Sequence, residues 1–340
     1  MTKVRVPLWD NARFIAIVLV VLGHSLTKMV PYTESAYALY VTIYLFHIPL
    51  FVFLSGYFSK ADAPTTERLR AVVVDLVLPY LLLECVWSAI QSIQAGAIVF
   101  NPLRPSWTLW FLISLASWRI LLPYIALLPF PLAVTLAISV LSGYWGVDQT
   151  LSLARTLAFL PFFVLGWRAR SWDLEQRWLA LAPRVVGAIR SAAALVLVGV
   201  FAAVWLGQGT LRALGVRELL TADASYAEAG FDYWWAGGLR AGLFVVALVM
   251  LTALLVLTPR GKTWFSAWGS ATLVVYVLHS FVLAPLRASD LLSGAVPLWH
   301  VGLVVVGALA LTMILSTRVV GVLVAPVLKP DWLLPPPSRS

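Results

Sequence analysis

Long apolar runs broken by short polar segments dominate this chain. A helix needs about 20 apolar residues to cross the hydrocarbon core of a bilayer. Ten runs approach that length, over residues 10–30, 36–58, 71–93, 107–126, 130–147, 153–169, 187–207, 236–257, 270–287 and 298–325. Only LLPF separates the fourth from the fifth, which marks them as a tight hairpin. The pattern predicts an all-α polytopic membrane helix bundle of about ten transmembrane helices. Residues 1–328 form one transmembrane domain in this reading, and the Pro-rich end 329–340 a disordered cytoplasmic tail. Lys3 and Arg5 before the run from Phe14 to Gly23 resemble a signal peptide. HSLTKMV is not a small-x-small cleavage site, so the segment reads as a retained first helix. No internal repeat is visible.

Composition agrees. The 340 residues are 61% hydrophobic and 11% charged. Soluble domains carry about 25% charged residues. The net charge of +9 does not point to nucleic acid, because the basic residues lie mostly in short loops between apolar runs. Lys and Arg cluster around 60–70, 168–190 and 260–262, whereas loop 208–235 sets Arg212 and Arg217 against Glu218, Asp223, Glu228 and Asp232. That asymmetry predicts cytoplasmic N- and C-termini in a multi-pass cell (inner or plasma) membrane protein. Trp9, Trp107, Trp172, Trp234, Trp235, Trp268 and Trp299 fall near run ends, where indoles anchor. The lone Cys85 excludes an intrachain disulfide and a Cys-cluster metal site, and reads as a small packing residue.

Ionisable residues within spans are costly and face the bundle interior or a cavity. Arg13 and His24 are eleven residues apart. Eleven steps of about 100° return to within about 20° of the start, about 16 Å further along the axis. Both side chains therefore leave one face, and that face can line a cavity running through much of the membrane. The plainer reading is that Arg13 snorkels to headgroups and His24 bonds a neighbouring helix. In the second run His47 precedes Pro49, which frees a carbonyl one turn earlier, and Ser55-Gly56 allows a close approach. His24 and His47 fall at similar depth; no third ligand accompanies them, and no metal is expected. His279 lies in a later run and His300 at a boundary. Arg155, Arg240 and Arg318 fall near run ends and are expected to snorkel, whereas Arg119 lies well inside its run.

WDNARFIAIVLVVLGHSL followed by FHIPLFVFLSGYF resembles the opening of the acyltransferase-3 family of integral membrane proteins, in its branch of fucose 4-O-acetylase-like sugar O-acetyltransferases. Arg13, ten residues, then His24 match the family's opening motif; His47, Pro49, Ser55, Gly56 and Tyr57 match its Phe-His-x-Pro and Ser-Gly-Tyr segments. LWFLISLASWRILLP and WGSATLVVYVLHSFVL are weaker echoes. Many relatives carry Arg-x-x-Arg near the third span. Here Arg68 and Arg70 are two apart. On a helix such a pair diverges by about 200°.

The resemblance implies transfer of an acyl group, acetyl by expectation, from acetyl-CoA on the cytoplasmic side to a hydroxyl of a carbohydrate or glycolipid acceptor. No metal or nucleic acid takes part, and the oligomeric state is not readable. His24 is the expected general base, since imidazole titrates near neutrality. Arg13 and His47 complete the expected catalytic set. Arg68, Arg70, Ser55, Tyr57, Glu84, Arg119 and His279 are the expected substrate-binding set, with Arg68 and Arg70 docking CoA phosphates and Glu84 in reach of orienting His24. Two other readings fit the pattern: a transporter or exporter of a lipid-linked or anionic solute, and a non-catalytic assembly partner.

Overall fold

The computed structural model describes residues 6–334, and among these every regular element is helical. Residues 335–340 of the expected tail lie outside the described residues, as do Lys3 and Arg5. Among the described residues, six helical segments are long and apolar enough to cross a membrane: Pro7–Leu26, Glu34–Tyr57, Thr150–Ser171, Pro183–Ala213, Ala236–Leu257 and Leu298–Leu315. Three shorter apolar helices, Trp110–Ile125, Pro131–Ser142 and Thr272–Ala288, occupy further expected spans. The structure thus gives a helical membrane protein whose long spans number fewer than the ten apolar runs.

The elements are α1 (Pro7–Leu26), α2 (Glu34–Tyr44), α3 (His47–Tyr57), α4 (Thr66–Val72), α5 (Leu78–Ala95), α6 (Trp110–Ile125), α7 (Pro131–Ser142), α8 (Leu153–Ser171), α9 (Leu174–Ala180), α10 (Pro183–Ala213), α11 (Val216–Thr221), α12 (Ala236–Leu257), α13 (Thr272–Ala288), α14 (Leu298–Leu315) and α15 (Arg318–Leu328). Three expected single helices are interrupted. The second run breaks at Leu45–Phe46, because Pro49 has no N–H for the carbonyl of residue 45. His47 Nδ1 donates to the Ile43 carbonyl at 2.9 Å, which also accepts the Phe46 N–H at 3.1 Å, so the side chain braces the break. The third run passes through a π-helical turn, Val73–Val77, which re-aims Asp75. The last run stops at Leu315, where Thr317 is extended (ψ 150°), and restarts as α15.

At the centre, α1 packs on α2, α3, α13 and α14, while α3 lies along α8. Glycine makes that second contact possible. A Cβ on Gly56 would sit 1.9 Å from the Phe163 carbonyl oxygen, and one on Gly166 would sit 2.0 Å from that of Phe53. The two backbones approach as closely as small residues permit in membrane helix pairs. Around this core, α10, α12 and α14 turn large apolar side chains outward, among them Leu195, Leu206 and Val306. Such a surface suits lipid tails rather than water. Cys85, expected to pack inside, is exposed on α5, and a thiol needs no polar partner there.

Arg155 and Arg240 do not snorkel. Arg155 pairs with Asp223 at 2.7 Å and bonds the Thr221 carbonyl; Arg240 bonds the Ser139 carbonyl at 3.1 Å and covers the Tyr226 ring. A partner on a neighbouring segment offers each guanidinium hydrogen bonds without leaving the protein. Arg318 is exposed, as expected. Lys329, assigned by sequence to the tail, follows α15 directly and lines an open cavity beside Arg13. The end of the described chain therefore returns to the end of the bundle where it begins.

Candidate active site

Two clusters occupy opposite ends of α1. The first surrounds Arg13. Its guanidinium lies 3.7 Å from Asp10 and 3.8 Å from the centre of the Phe58 ring. Phe58 stands where three cavities meet. One, of about 320 Å³, runs inward past Arg13, Ser55, Asp75, Arg119 and Lys329 to Phe51, Phe111 and Tyr276. Another, of about 560 Å³, is bounded by Arg13, Tyr57, Arg170 and Glu175. The third, of about 320 Å³, is bounded by Lys60, Arg68 and Arg119. Cations from several helices thus face one branched, open space, and Asp75 is the carboxylate inside its deepest arm.

Sequence-expected residues divide around this space. Arg68 lines it, with its guanidinium closing the loop before α4 through bonds to the Lys60, Asp62 and Ala63 carbonyls. Arg70 is not among the lining residues of the three cavities, since α4 is helical and two positions diverge. Arg119 borders two cavities. Ser55 lines the deepest arm but spends its hydroxyl on the Phe51 carbonyl at 2.9 Å. Tyr57 donates to Glu175 at 3.0 Å; the Trp9 indole N–H donates to the same carboxylate, so α9 is tied to α1 and α3.

The second cluster surrounds His24. His24 Nδ1 lies 2.8 Å from His279 Nε2, and the two rings meet edge to edge, with centroids 5.1 Å apart and 4° between planes. His279 is fully buried, and its Nδ1 sits 2.9 Å from the Val275 carbonyl. A carbonyl only accepts, so His279 Nδ1 carries the proton. In a neutral ring its Nε2 then holds a lone pair, which accepts from His24 Nδ1–H. His24 Nε2 is left with a free lone pair. One backbone carbonyl thereby sets the tautomer of two imidazoles in series.

His47 does not touch His24: the Tyr44 ring stands between, with centroids 4.5 Å from His47 and 6.4 Å from His24. His47 Nε2 is buried without a hydrogen-bond partner. Glu84 is not joined to His24 either; its two oxygens accept from the Ser106 N–H (2.8 Å) and hydroxyl (2.6 Å) and so hold the loop before α6. Arg287 donates to the His24 carbonyl at 3.0 Å and lies 3.4 Å over the Trp107 ring.

The common cavity expected for Arg13 and His24 is interrupted. His24 is not among the residues lining the space beside Arg13, which ends at Tyr276. Tyr276 packs on Phe51 at 5.7 Å and Phe111 at 5.3 Å, donates to the Thr108 carbonyl, and meets His279 at 5.9 Å. Aromatic side chains from α3, α6 and α13 separate the two clusters. Sequence reading missed Asp75, Phe58, Tyr276 and Arg287. An acid within an apolar run was the available signal for Asp75; the others carried none before the helices were assembled.

Against known proteins, the family model described as "Acyltransferase domain" matches residues 7–317. A nodulation protein, NolL, of Sinorhizobium fredii (strain NBRC 101917 / NGR234) is 33% identical over 99 residues, 27% of this chain. That match covers only 26% of the relative, so the similarity reaches about a quarter of its length. No solved structure matches.

Proposed function

Since the chain belongs to the acyltransferase-3 family, we propose that it moves an acetyl group from acetyl-CoA to a hydroxyl of a carbohydrate or glycolipid acceptor, with His24 as general base. The protein is multi-pass in the cell membrane, with the Arg13 end cytoplasmic. The donor's phosphates dock among Arg13, Arg68, Arg119 and Lys329, where charged hydrogen bonds to phosphate are strong. Its thioester arm follows the deepest cavity toward Tyr276. The rings of Tyr276, Phe51 and Phe111 swing aside for the acyl group to reach His24.

His24 Nε2 then takes the acceptor's hydroxyl proton. The alkoxide oxygen attacks the thioester carbonyl carbon, the C–O bond forms, and the C–S bond breaks. The departing thiolate recovers the proton from His24 and leaves as CoA. His279 holds the Nδ1 proton throughout, so the imidazolium keeps its orientation. His47 Nε2, buried and unbonded, is available to a second hydroxyl of the acceptor.

The observation that carries this reading is the 2.8 Å His24–His279 contact with His279 anchored on Val275, because it leaves His24 Nε2 basic. The test uses full-length purified protein, labelled acetyl-CoA and a panel of glycans. Wild type releases CoA in an acceptor-dependent manner, and His24→Ala loses about 10²-fold or more, the usual scale for removing a general base. Equal release by the two proteins removes His24 from the chemistry, and a transporter releases none.

A further inference from the structure

Three guanidiniums crowd the His24 end of the bundle, and aromatic rings back each of them. Arg287 lies 3.4 Å over Trp107, Arg212 3.8 Å over Tyr37, and Arg217 5.7 Å from the centre of Tyr40. The tyrosines lead directly to the base: Tyr40 stacks on Tyr44 at 3.8 Å, and Tyr44 faces His24. Among the described residues, no carboxylate lies within 4.0 Å of any of the three, although Glu218 follows Arg217 in α11 and Asp290 follows Arg287 in the chain. Arg155 nearby shows what a satisfied guanidinium looks like here, with Asp223 at 2.7 Å.

Arg287 is the most exacting case. One Nη donates to the His24 carbonyl, its flat face is covered by Trp107, and its Nε is buried with no hydrogen-bond partner. Leaving such a donor unmade is unfavourable, the more so when the group is charged. Other unmade buried atoms sit on the same or adjoining side chains: Tyr37 Oη, Trp87 Nε1 and Thr108 Oγ1. Trp107 itself takes φ 56°. That left-handed conformation is unfavourable for a bulky residue. Strain of this kind persists where surroundings hold it, and it clusters at ligand sites. The strained turn sets the indole between Arg287 and Trp87, which stacks on it at 5.8 Å, and leaves Trp107 as a residue 37% exposed.

We infer that this end of the protein binds a negatively charged acceptor, a glycan bearing a carboxylate or phosphate close to the hydroxyl that His24 deprotonates. Arg287 holds the anion, Arg217 and Arg212 extend the positive field, and Trp107, backed by Trp87, holds the Arg287 guanidinium in place. Planar guanidinium forks match both anions, and the aromatic backing holds them without a competing carboxylate. The inference rests on the proposed function for the chemistry at His24, and it adds the charge of the substrate.

A binding measurement separates the two, because it needs no turnover. Full-length protein in detergent, with and without saturating CoA to occupy the Arg13 end, is titrated with matched pairs. One pair is tetragalacturonate and its neutral tetragalactose counterpart; the other is farnesyl diphosphate and farnesol. The charged member of at least one pair binds about 10-fold or more tightly than its neutral partner, the scale of one good charged hydrogen-bonded pair. Arg287→Gln removes that preference while CoA binding, which reports an intact fold, stays unchanged. The pair that shows the preference distinguishes an acidic sugar from a phosphate-linked lipid carrier. Equal binding within both pairs, no binding in either, or a preference that survives Arg287→Gln overturns the inference, and none of these outcomes depends on whether acetyl transfer is observed.

Discussion

At the scale of single residues, the decisive contact joins positions 255 apart in sequence. His24 was legible as a candidate from its spacing to Arg13; its partner was not, because no local rule links α1 to α13. Two substitutions at His279 separate its tautomer control of His24 from its packing. His279→Gln puts an amide oxygen near the place of Nε2 and still accepts from His24 Nδ1–H, so activity stays within about 10-fold of wild type, a hydrogen bond's worth or less. His279→Leu fills similar space with no acceptor and frees the other His24 tautomer. It loses about 10²–10⁴-fold in kcat with little change in KM for acetyl-CoA, as a mis-set tautomer does in hydrolytic triads. Equal losses in the two variants mean that His279 only packs. Asn11 is a structural counterpart. Its amide donates to the Pro259 and Gly261 carbonyls and accepts from Thr263 and Ser266, all between 2.7 and 2.9 Å. Asn11→Ala strands these groups and lowers stability by about 2–3 kcal/mol, read as a fall in the unfolding midpoint in detergent.

Helix pairs bring in backbone contact and breaks. Ser55-Gly56 suggested a close approach, and the structure identifies the partner as α8, with Gly166 reciprocating. Gly56→Leu forces backbones apart, because the obstructing atom is a carbonyl oxygen rather than a movable side chain. It destabilises by more than about 3 kcal/mol, beyond ordinary overpacking, and is seen as loss of monodisperse protein. Gly187→Ala is the control, since nothing lies within 4 Å of its Cβ. Helix propensity there favours alanine by about 1 kcal/mol. The helix interruptions were only partly legible. Pro49 announced the first. The π turn around Asp75 and the stop at Leu315 had no comparable signal, since apolar runs read as continuous whichever hydrogen-bond register the backbone adopts.

For the whole molecule, Arg13 near the start of the described chain and Lys329 near its end line one cavity, which puts both on one side of the bundle. Together with the Lys/Arg asymmetry, this predicts that a fluorescent reporter fused to the C-terminus fluoresces in cells, whereas alkaline phosphatase inserted at the exposed Gly230 is active. The reverse pattern exchanges the donor and acceptor ends. The sequence by itself determined the solvent, the helical class and the common face of Arg13 and His24, because hydrophobic run length and helical pitch are local quantities. Tertiary structure alone decided which imidazole faces His24, which arginines keep carboxylate partners and which lie on aromatic rings without one. It also decided that aromatic side chains from three helices divide the expected passage in two. Those outcomes depend on distances between helices remote in the chain, which are fixed only when packing selects one arrangement.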